Sequence, residues 1–473
     1  MDRSAFLTDS FLRHLQYEAT GDQLRLFATI GQFLTGDDGD ILVVNGYAGT
    51  GKTTAVSAVL AAMRELGVPC VLLAPTGRSA KVLSQYSGMP ASTIHKHIYR
   101  QSSMGADGLG RFTLSPNKAR GTLFVVDEVS LIGTDQENEK AMFGSGNLLE
   151  DLIQFLRNGT DCRMIMLGDD AQLPPVGLDV SPALSRTFMS GAGGVRFESL
   201  SEVVRQQAGS GILRNATALR TMIADGAMLR PRDLGLETSD DVVRLGGGEL
   251  IDTLTDAYSR YGEDRTVVLC RSNRRANRYN AGIRAQVLFR EERLVREDRL
   301  MVVKNCYYGL DDMEDTDYIA NGDIARILRV SKYEERYGFH FAEARLAFPD
   351  YGDQELVAKI LLDTLEAEAP ALTYEQARTL YEGVSEDYSH LRTKKQRYDA
   401  VHADPFFNAL QIKYAHAITA HKSQGGQWDC VFIDNPLWQE EIGLDDLKWL
   451  YTAITRATER VYLVNFKDEV FAI

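Results

Sequence analysis

The residues with the clearest chemical potential form one short stretch that follows an apolar run. It reads Gly46-Tyr47-Ala48-Gly49-Thr50-Gly51-Lys52-Thr53, directly after Ile41-Leu42-Val43-Val44-Asn45. The glycines let a loop turn back with its backbone N–H groups pointing inward, which makes a nest for phosphate oxygens. Lys52 adds a charge for the β- and γ-phosphates, and the Thr53 hydroxyl is placed to ligate Mg²⁺. Thr54 continues into a helical run whose N-terminal dipole faces the same anion, so the stretch predicts a nucleotide-binding phosphate loop.

Two adjacent acids, Asp127 and Glu128, follow the apolar run Thr122-Leu123-Phe124-Val125-Val126. In-line phosphoryl transfer needs a metal facing the phosphates and a base facing the nucleophile. We expect Asp127 to hold Mg²⁺ through its hydration shell and Glu128 to polarise the attacking water. The alternative is a solvated acidic loop.

Three further residues are candidates for nucleotide contacts. Gln172 lies in the loop after the apolar run Arg163-Met164-Ile165-Met166-Leu167, where its amide could reach a γ-phosphate. Gln23 precedes the phosphate loop and could pair with the N6/N7 edge of adenine, or be an ordinary surface glutamine. Arg456 is placed to act as an arginine finger that stabilises transition-state charge, the alternative being a surface salt bridge.

Polar loops that follow other apolar strands are candidates for a second ligand, because open α/β sheets bind ligands at the carboxyl ends of their strands. One loop is Pro75-Thr76-Gly77-Arg78, and another is Thr93-Ile94-His95-Lys96, in which His95 could instead be structural. A third, Thr419-Ala420-His421-Lys422-Ser423-Gln424-Gly425, concentrates polar groups that are costly as mere packing.

A glycine-rich excursion over residues 101–118 predicts a small β-hairpin. Phe112 follows the glycine-rich tip. An aromatic side chain on such a projection could wedge against a base pair, and the alternative is that Phe112 packs inward.

The elements that must position these residues alternate between buried strands and helical patterns, which is typical of parallel sheets covered by helices. One set of strands precedes residue 186 and another follows it. Residues 298–405 differ, because short strands with a turn at Asn321-Gly322 predict an inserted small β-barrel with appended helices.

Composition limits the protein class. The 473 residues suffice for about three domains, and 44% of them are hydrophobic. A net charge of −14 argues against non-specific coating of nucleic acid but leaves room for a local basic channel. Five separated cysteines without a C-x-x-C pair indicate thiols in a reducing cytosol, and no apolar run approaches the ~20 residues of a membrane span. The N-terminal segment does not resemble a signal peptide.

Taken together, these stretches resemble superfamily 1 DNA helicases, most closely the RecD/Dda-like branch that also holds the Pif-type helicases. Seven motifs in the family order carry the resemblance over most of the chain, including Gly168-Asp169-Asp170-Ala171-Gln172-Leu173-Pro174-Pro175 and Tyr451-Thr452-Ala453-Ile454-Thr455-Arg456-Ala457. The arginine motif reads Val203-Val204-Arg205-Gln206 and lacks the Asn-Tyr and Ser that flank the arginine in UvrD-like helicases. That departure supports the RecD/Dda branch.

The resemblance implies two RecA-like domains that use ATP and Mg²⁺, with single-stranded DNA across their tops and 5′ to 3′ movement. It places Lys52, Thr53, Asp127 and Glu128 at the hydrolysis centre and Gln172, Arg205 and Arg456 at the γ-phosphate. Gln23, the loop from Gly46 to Thr54 and Gly425 would hold the nucleotide. The DNA contacts would come from Pro75, Thr76, Arg78, His95, Thr419, His421 and Lys422, with Phe112 as the wedge.

The expected fold class is therefore α/β, with two RecA-like parallel-sheet domains, a β-hairpin insertion in the first and an SH3-like β-barrel insertion in the second. We expect the first domain at 1–98 and 119–186, the hairpin at 99–118, the second domain at 187–297 and 406–473, and the barrel with an acidic helical extension at 298–405.

The expected activity is ATP-dependent separation of DNA strands by a cytoplasmic, nucleoid-associated monomer acting on single strands and duplex junctions, alongside replication or repair proteins. One alternative is a translocase that mainly displaces proteins or remodels RNA. Another is a P-loop switch or kinase without nucleic acid, which leaves residues 419–425 and Arg456 unexplained.

Overall fold

The structure, a computed structural model, describes residues 2–15, 17–37, 39–104, 110–133, 144–204, 209–226, 228–310, 313 and 318–472. The chain divides into two units. The first comprises Met1–Asp241, Gln439–Thr455 and Asp468–Ile473, and the second comprises Val242–Trp438 and Arg456–Lys467. No helix in these described ranges has both the length and the apolar character needed to cross a membrane.

The α-helices of the described residues are α1 (Arg3–Arg13), α2 (Gly21–Thr35), α3 (Lys52–Glu65), α4 (Gly77–Ser87), α5 (Ile94–Ile98), α6 (Leu148–Arg157), α7 (Arg186–Met189), α8 (Gly211–Asp225), α9 (Leu250–Tyr261), α10 (Asn273–Gly282), α11 (Tyr374–Asp387), α12 (Lys394–His402), α13 (Ala420–Ser423) and α14 (Leu444–Ile454).

The β-strands are β1 (Ile41–Gly46), β2 (Cys70–Ala74), β3 (Ala91–Thr93), β4 (Tyr99–Met104), β5 (Gly110–Leu114), β6 (Leu123–Val126), β7 (Arg163–Gly168), β8 (Val195–Leu200), β9 (Val242–Leu245), β10 (Thr266–Cys270), β11 (Arg299–Val302), β12 (Ile324–Arg336), β13 (Phe339–Phe348), β14 (Gln354–Leu361), β15 (Leu410–Tyr414), β16 (Ala417–Thr419), β17 (Trp428–Asp434) and β18 (Ala457–Val464).

The first unit is built on a parallel sheet in the order β3-β2-β6-β7-β1-β8. Its strands are continuous apolar runs because helices cover both faces. Along β1, Leu42 and Val44 enter the core beneath α1, α2 and α3, whereas Ile41 and Val43 enter a second core with α5 and α6. The sheet brings the loops after β1, β2, β6 and β7 to one edge.

A two-stranded antiparallel hairpin, β4 with β5, follows α5 in the first unit. Its pairing sets Tyr99 opposite Leu114 and Gln101 opposite Phe112. The expected hairpin is therefore present, while its tip at 105–109 lies outside the described residues.

The second unit has its own parallel sheet, in the order β16-β10-β17-β18-β9. Between β10 and β16 the chain forms a closed barrel, β11-β12-β13-β14-β15, with an apolar interior. Helices α11 and α12 pack against a separate cluster around Phe341 and Phe406. Two RecA-like sheets and an inserted barrel confirm the expected fold class.

The two units differ from the expected domain boundaries at four places, one of which is that Asp468–Ile473 lies in the first unit. The first unit continues past residue 186 to Asp241, because β8 pairs in parallel with β1. It also includes Gln439–Thr455, since α14 packs on α8. The barrel is completed by β15, which lies beyond residue 405 and pairs with both β11 and β14.

Candidate nucleotide and DNA sites

The phosphate loop joins β1 to α3 and depends on glycine geometry. Gly49 and Gly51 have φ of +76° and +72°, in the left-handed region that glycine adopts without steric cost. A Cβ atom at Gly51 would lie 2.5 Å from Nε2 of Gln23, so a larger residue there would displace that amide as well as strain the left-handed backbone. Lys52 Nζ donates to the carbonyl oxygens of Gly46 at 3.2 Å and Gly168 at 3.1 Å, which joins the loop to the end of β7. The loop therefore has the shape and cation that a triphosphate requires.

The acid pair stands at the end of β6, as expected. Oδ1 of Asp127 accepts a hydrogen bond from the Glu128 N–H at 2.8 Å, and Oδ2 accepts one from the Tyr86 hydroxyl at 2.7 Å. A carboxylate offers about four lone-pair positions, so Asp127 retains capacity for the water shell of Mg²⁺. Burial, followed by the charge of Asp127, raises the pKa of Tyr86 well above its ordinary value, so this hydroxyl stays a donor.

Glu128 has a left-handed backbone, with φ of +54° and ψ of +37°. This region is uncommon for residues other than glycine, and such strain concentrates at functional sites. This conformation of Glu128 follows β6 and precedes a short 3₁₀ turn that starts at Val129. The backbone therefore changes direction between Asp127 and Glu128. The two carboxylates are therefore suited to separate roles.

Gln172 is 6% exposed, and its Nε2 lies 3.4 Å from Oδ2 of Asp169. Its Oε1 is buried and has no hydrogen-bond partner among the described residues. A buried acceptor left unsatisfied is costly, and it fits a donor such as the attacking water.

Tyr451 and Asp169 were not identified from the sequence as site residues. The Tyr451 hydroxyl accepts from the N–H of Ala48 at 2.9 Å and donates to Oδ2 of Asp169 at 2.7 Å. Burial raises the pKa of Asp169, and the charge of Lys52 opposes that shift. This network joins the phosphate loop, the loop after β7 and α14. Only the presence of Tyr451 and Asp169 in family motifs could have drawn attention to them.

Gln23 is 4% exposed, and both ends of its amide are used within the protein. Oε1 accepts from the N–H of Thr20 at 3.1 Å in a capping box of α2, and Nε2 donates to the carbonyls of Thr50 and Gly51. Gln23 therefore braces the phosphate loop, and its adenine contact stays a prediction.

Arg205 lies outside the described residues. The preceding Val204 donates its N–H to the carbonyl of Gly49 at 2.9 Å, so the segment leading to Arg205 is joined to the phosphate loop. The guanidinium of Arg220 lies 4.5 Å from the ring centre of Tyr47. Burial, with Asp170 and Asp169 nearby, raises the pKa of Tyr47 to about 12.

The proposed DNA residues of the first unit lie after β2 and β3. Thr76 is the N-cap of α4 and accepts from the N–H of Ser79 at 3.1 Å, with Pro75 and Arg78 half-buried beside it. Burial lowers the pKa of His95 to about 4, so its imidazole is neutral at pH 7 and offers hydrogen bonds rather than charge. Phe112 is half-buried against the first unit's core, which matches the alternative that it packs inward, and its wedge role stays a prediction.

The second unit gathers the other candidates around α13. Thr419 is the N-cap residue of α13, with His421 and Lys422 on that helix, and Gly425 follows with φ of +73°. The Nζ atom of Lys422 is buried without a hydrogen-bond partner among the described residues, and burial, followed by the charge of Lys413, lowers its pKa to about 8.

Arg456 is also in the second unit, where it is 6% exposed and donates to the carbonyl of Gly426 at 3.3 Å. The side chain is therefore largely shielded from solvent, and its role as an arginine finger stays a prediction.

Two family models match the chain. One, described as an AAA domain, matches residues 27–233, and the other, described as a UvrD-like helicase C-terminal domain, matches residues 414–464. The first match contains the phosphate loop and acid pair, and the second contains α13 and Arg456.

Among similar proteins, the ATP-dependent RecD2 DNA helicase of Deinococcus radiodurans is 34% identical over 136 residues, which cover 29% of this chain and only 16% of that protein. The ATP-dependent DNA helicase dda of Enterobacteria phage T4 is 25% identical over 454 residues, covering 89% of this chain and 94% of that protein. One similar solved structure contains two Pif1 helicases and is described as the basis for DNA unwinding at forked double-stranded DNA. It superposes with a TM-score of 0.50 and is 15% identical in sequence, over 97% of this chain and 94% of that one. The likeness shows a shared fold. These matches support the resemblance of the chain to the superfamily 1 helicases of the RecD/Dda-like branch, which also holds the Pif-type helicases.

Proposed function

We propose that this protein is an ATP-dependent DNA helicase that moves 5′ to 3′ along single-stranded DNA and separates the duplex ahead of it. The observation that carries the proposal is the convergence, at one sheet edge, of the phosphate-loop Lys52, the Asp127–Glu128 pair and the unsatisfied Gln172 amide oxygen. The T4 relative, which this chain matches over nearly its full length, is named as an ATP-dependent DNA helicase.

Each residue at this edge has a distinct proposed role. Lys52 and the loop amides bind the phosphates, Thr53 and Asp127 would hold Mg²⁺, and the metal when bound would neutralise phosphate charge. Glu128 polarises the attacking water, and the Gln172 amide is proposed to reach the γ-phosphate, with its Oε1 available to accept from that water. Arg205 and Arg456 are proposed to contact the γ-phosphate, so that its loss on hydrolysis removes contacts and produces the motor stroke.

The proposed DNA contacts are hydrogen bonds and charges to the backbone, from Thr76 and His95 in the first unit and Thr419, His421 and Lys422 in the second. Backbone contacts are tolerant of sequence and weaken as salt rises. Lys422, with a pKa of about 8, remains mostly charged at pH 7. We propose a cytoplasmic location, where the substrate would be single strands and their junctions with duplex.

A strand-separation assay on matched duplexes with a 5′ or a 3′ single-stranded overhang tests this function. We expect opening of the 5′-tailed substrate alone, with ATP and Mg²⁺ required. Lys52→Ala should abolish both hydrolysis and opening because it removes the phosphate-binding charge, and it serves as the negative control. Opening of the 3′-tailed substrate alone would overturn the polarity, and hydrolysis indifferent to single strands would overturn the function.

A further inference from the structure

Tyr86, on the last turn of α4, joins that helix to the acid pair. Its hydroxyl donates to Oδ2 of Asp127 at 2.7 Å, and its half-buried ring packs against the core beneath α3. The other oxygen of Asp127 is held by the N–H of Glu128. The carboxylate is therefore fixed at both oxygens, and only one of these two donors is a side chain.

The backbone of Tyr86 is tied to α3 as well. Ser57 Oγ lies 2.9 Å from the carbonyl oxygen of Thr53 and 3.3 Å from that of Tyr86, so its one hydrogen is shared between the two carbonyls. Thr53 and Asp127 are the two residues proposed to hold Mg²⁺. Tyr86 thus connects to both sides of that site, through its hydroxyl on one and through Ser57 on the other.

The opposite end of α4 carries the proposed DNA contacts. Thr76 caps the helix, and Arg78 lies in its first turn. The helix has 11 residues, so the two ends are separated by roughly 15 Å. Ala80 and Leu83 are buried along its inner face, and Gly88 ends it directly after Ser87, so the helix can transmit a displacement as one rigid element.

We propose that Tyr86 is a positioning residue that holds Asp127 for the metal and couples DNA engagement at the start of α4 to the nucleotide site. The inference rests on the proposed function, since it takes the loop after β2 as a DNA contact. When DNA pulls on the loop, α4 moves the hydroxyl of Tyr86 and with it the carboxylate of Asp127. Partners that orient a metal-binding carboxylate usually matter about tenfold or more for metal affinity.

Binding of a fluorescent ADP analogue, measured while Mg²⁺ is titrated, tests the positioning role without turnover. Tyr86→Phe keeps the ring and removes only the hydroxyl. We expect its half-saturating Mg²⁺ concentration to rise roughly tenfold, with nucleotide affinity in the absence of metal unchanged. The matched control is Tyr388→Phe, which deletes a comparable bond of 2.9 Å to Asp404 in the helical part of the insertion and should leave the titration as in wild type. An unchanged titration in Tyr86→Phe overturns the positioning role.

The coupling is tested by the ratio of hydrolysis rates with and without single-stranded DNA, at saturating Mg²⁺. We expect this ratio to fall severalfold in Tyr86→Phe, and to fall in Ser57→Ala, where the hydroxyl bond to Asp127 remains and the Mg²⁺ titration should stay near wild type. If both variants keep the wild-type ratio of hydrolysis rates, the proposed coupling is overturned. Absence of stimulation in wild type itself instead contradicts the proposed function. Thermal unfolding midpoints equal to wild type confirm that the variants are folded.

Discussion

Two aspartates stand at the ends of neighbouring strands of the first sheet, and they differ in surroundings. Asp127 follows β6, is 9% exposed and accepts from one tyrosine hydroxyl and one backbone N–H. Asp169 follows β7, is 1% exposed and accepts from Tyr451, the N–H of Ala171 and the side chain of Gln172. Both come after an apolar strand, yet one retains capacity for a ligand and the other is enclosed by the protein. The comparison separates the proposed Mg²⁺ ligand, Asp127, from Asp169, which holds the loops in place.

The largest effect is expected at Asp127, the proposed Mg²⁺ ligand. Asp127→Asn keeps the shape and one acceptor oxygen, which can serve the Glu128 N–H while the amide NH₂ donates to the Tyr86 hydroxyl, but it removes the charge proposed to hold Mg²⁺. We expect steady-state ATP hydrolysis to fall roughly a hundredfold or more, with the thermal unfolding midpoint close to wild type. A variant that loses stability and activity together would show that Asp127 is structural after all.

Asp169→Ala tests whether the carboxylate of Asp169 stabilises the fold. It leaves the buried donors of Tyr451 and Gln172 without their acceptor, which costs about 2–4 kcal/mol of unfolding free energy. Urea denaturation of the variant and wild type measures this loss. Wild-type stability would mean that the enclosed carboxylate contributes nothing to the fold.

Asp22 is a third aspartate for the comparison, because its pKa is lowered whereas that of Asp169 is raised. Burial alone would raise its pKa, but the hydrogen bonds from Ser201 and Glu202 lower it to about 2. Because the folded pKa lies below the unfolded value, the stabilisation is present above about pH 4 and is lost as pH falls toward 2. Asp22→Asn should therefore lower the free energy of unfolding by about 2 kcal/mol at pH 7.

The difference between this variant and wild type should shrink by about 1 kcal/mol when urea denaturation is repeated at pH 3. A difference that does not change with pH would assign the effect to packing and not to the charge of Asp22.

The smallest expected effect concerns Tyr451, whose hydroxyl contacts both Asp169 and the N–H of Ala48. Tyr451→Phe removes the bond to Asp169 and the acceptor for Ala48, at a cost of about 1–2 kcal/mol. The Mg²⁺ dependence of nucleotide binding should be unchanged, in contrast to Tyr86→Phe. A shift in that Mg²⁺ dependence would show that the two tyrosines are not functionally distinct.

The sequence was informative where the signal is local. The phosphate loop, the acid pair and the apolar strands could all be predicted, because each depends on a few consecutive residues and a known periodicity. The two tyrosines could not, since Tyr86 and Asp127 are separated by 41 positions and Ala48 and Tyr451 by 403. A contact of that kind is set by the assembled sheet and leaves no local pattern.

Other differences have similar causes. The amide of Gln23 predicts a contact with adenine, but Thr20 three residues earlier makes Gln23 a capping-box partner as well. The second unit's barrel is closed by a strand that follows two helices, so composition suggested an earlier end to the insertion. Phe112 packs against a core formed by distant strands, and hairpin geometry alone does not determine on which side its ring lies.

The left-handed backbone at Glu128 sets folding against chemistry at a single position. Glycine would relax that backbone by about 1 kcal/mol, so a programme of substitutions guided by thermostability alone would favour it there. Under the role proposed for Glu128, the resulting protein would be more stable but unable to hydrolyse ATP. At residue 128, a substitution that increases stability would therefore remove the carboxylate proposed to polarise the attacking water.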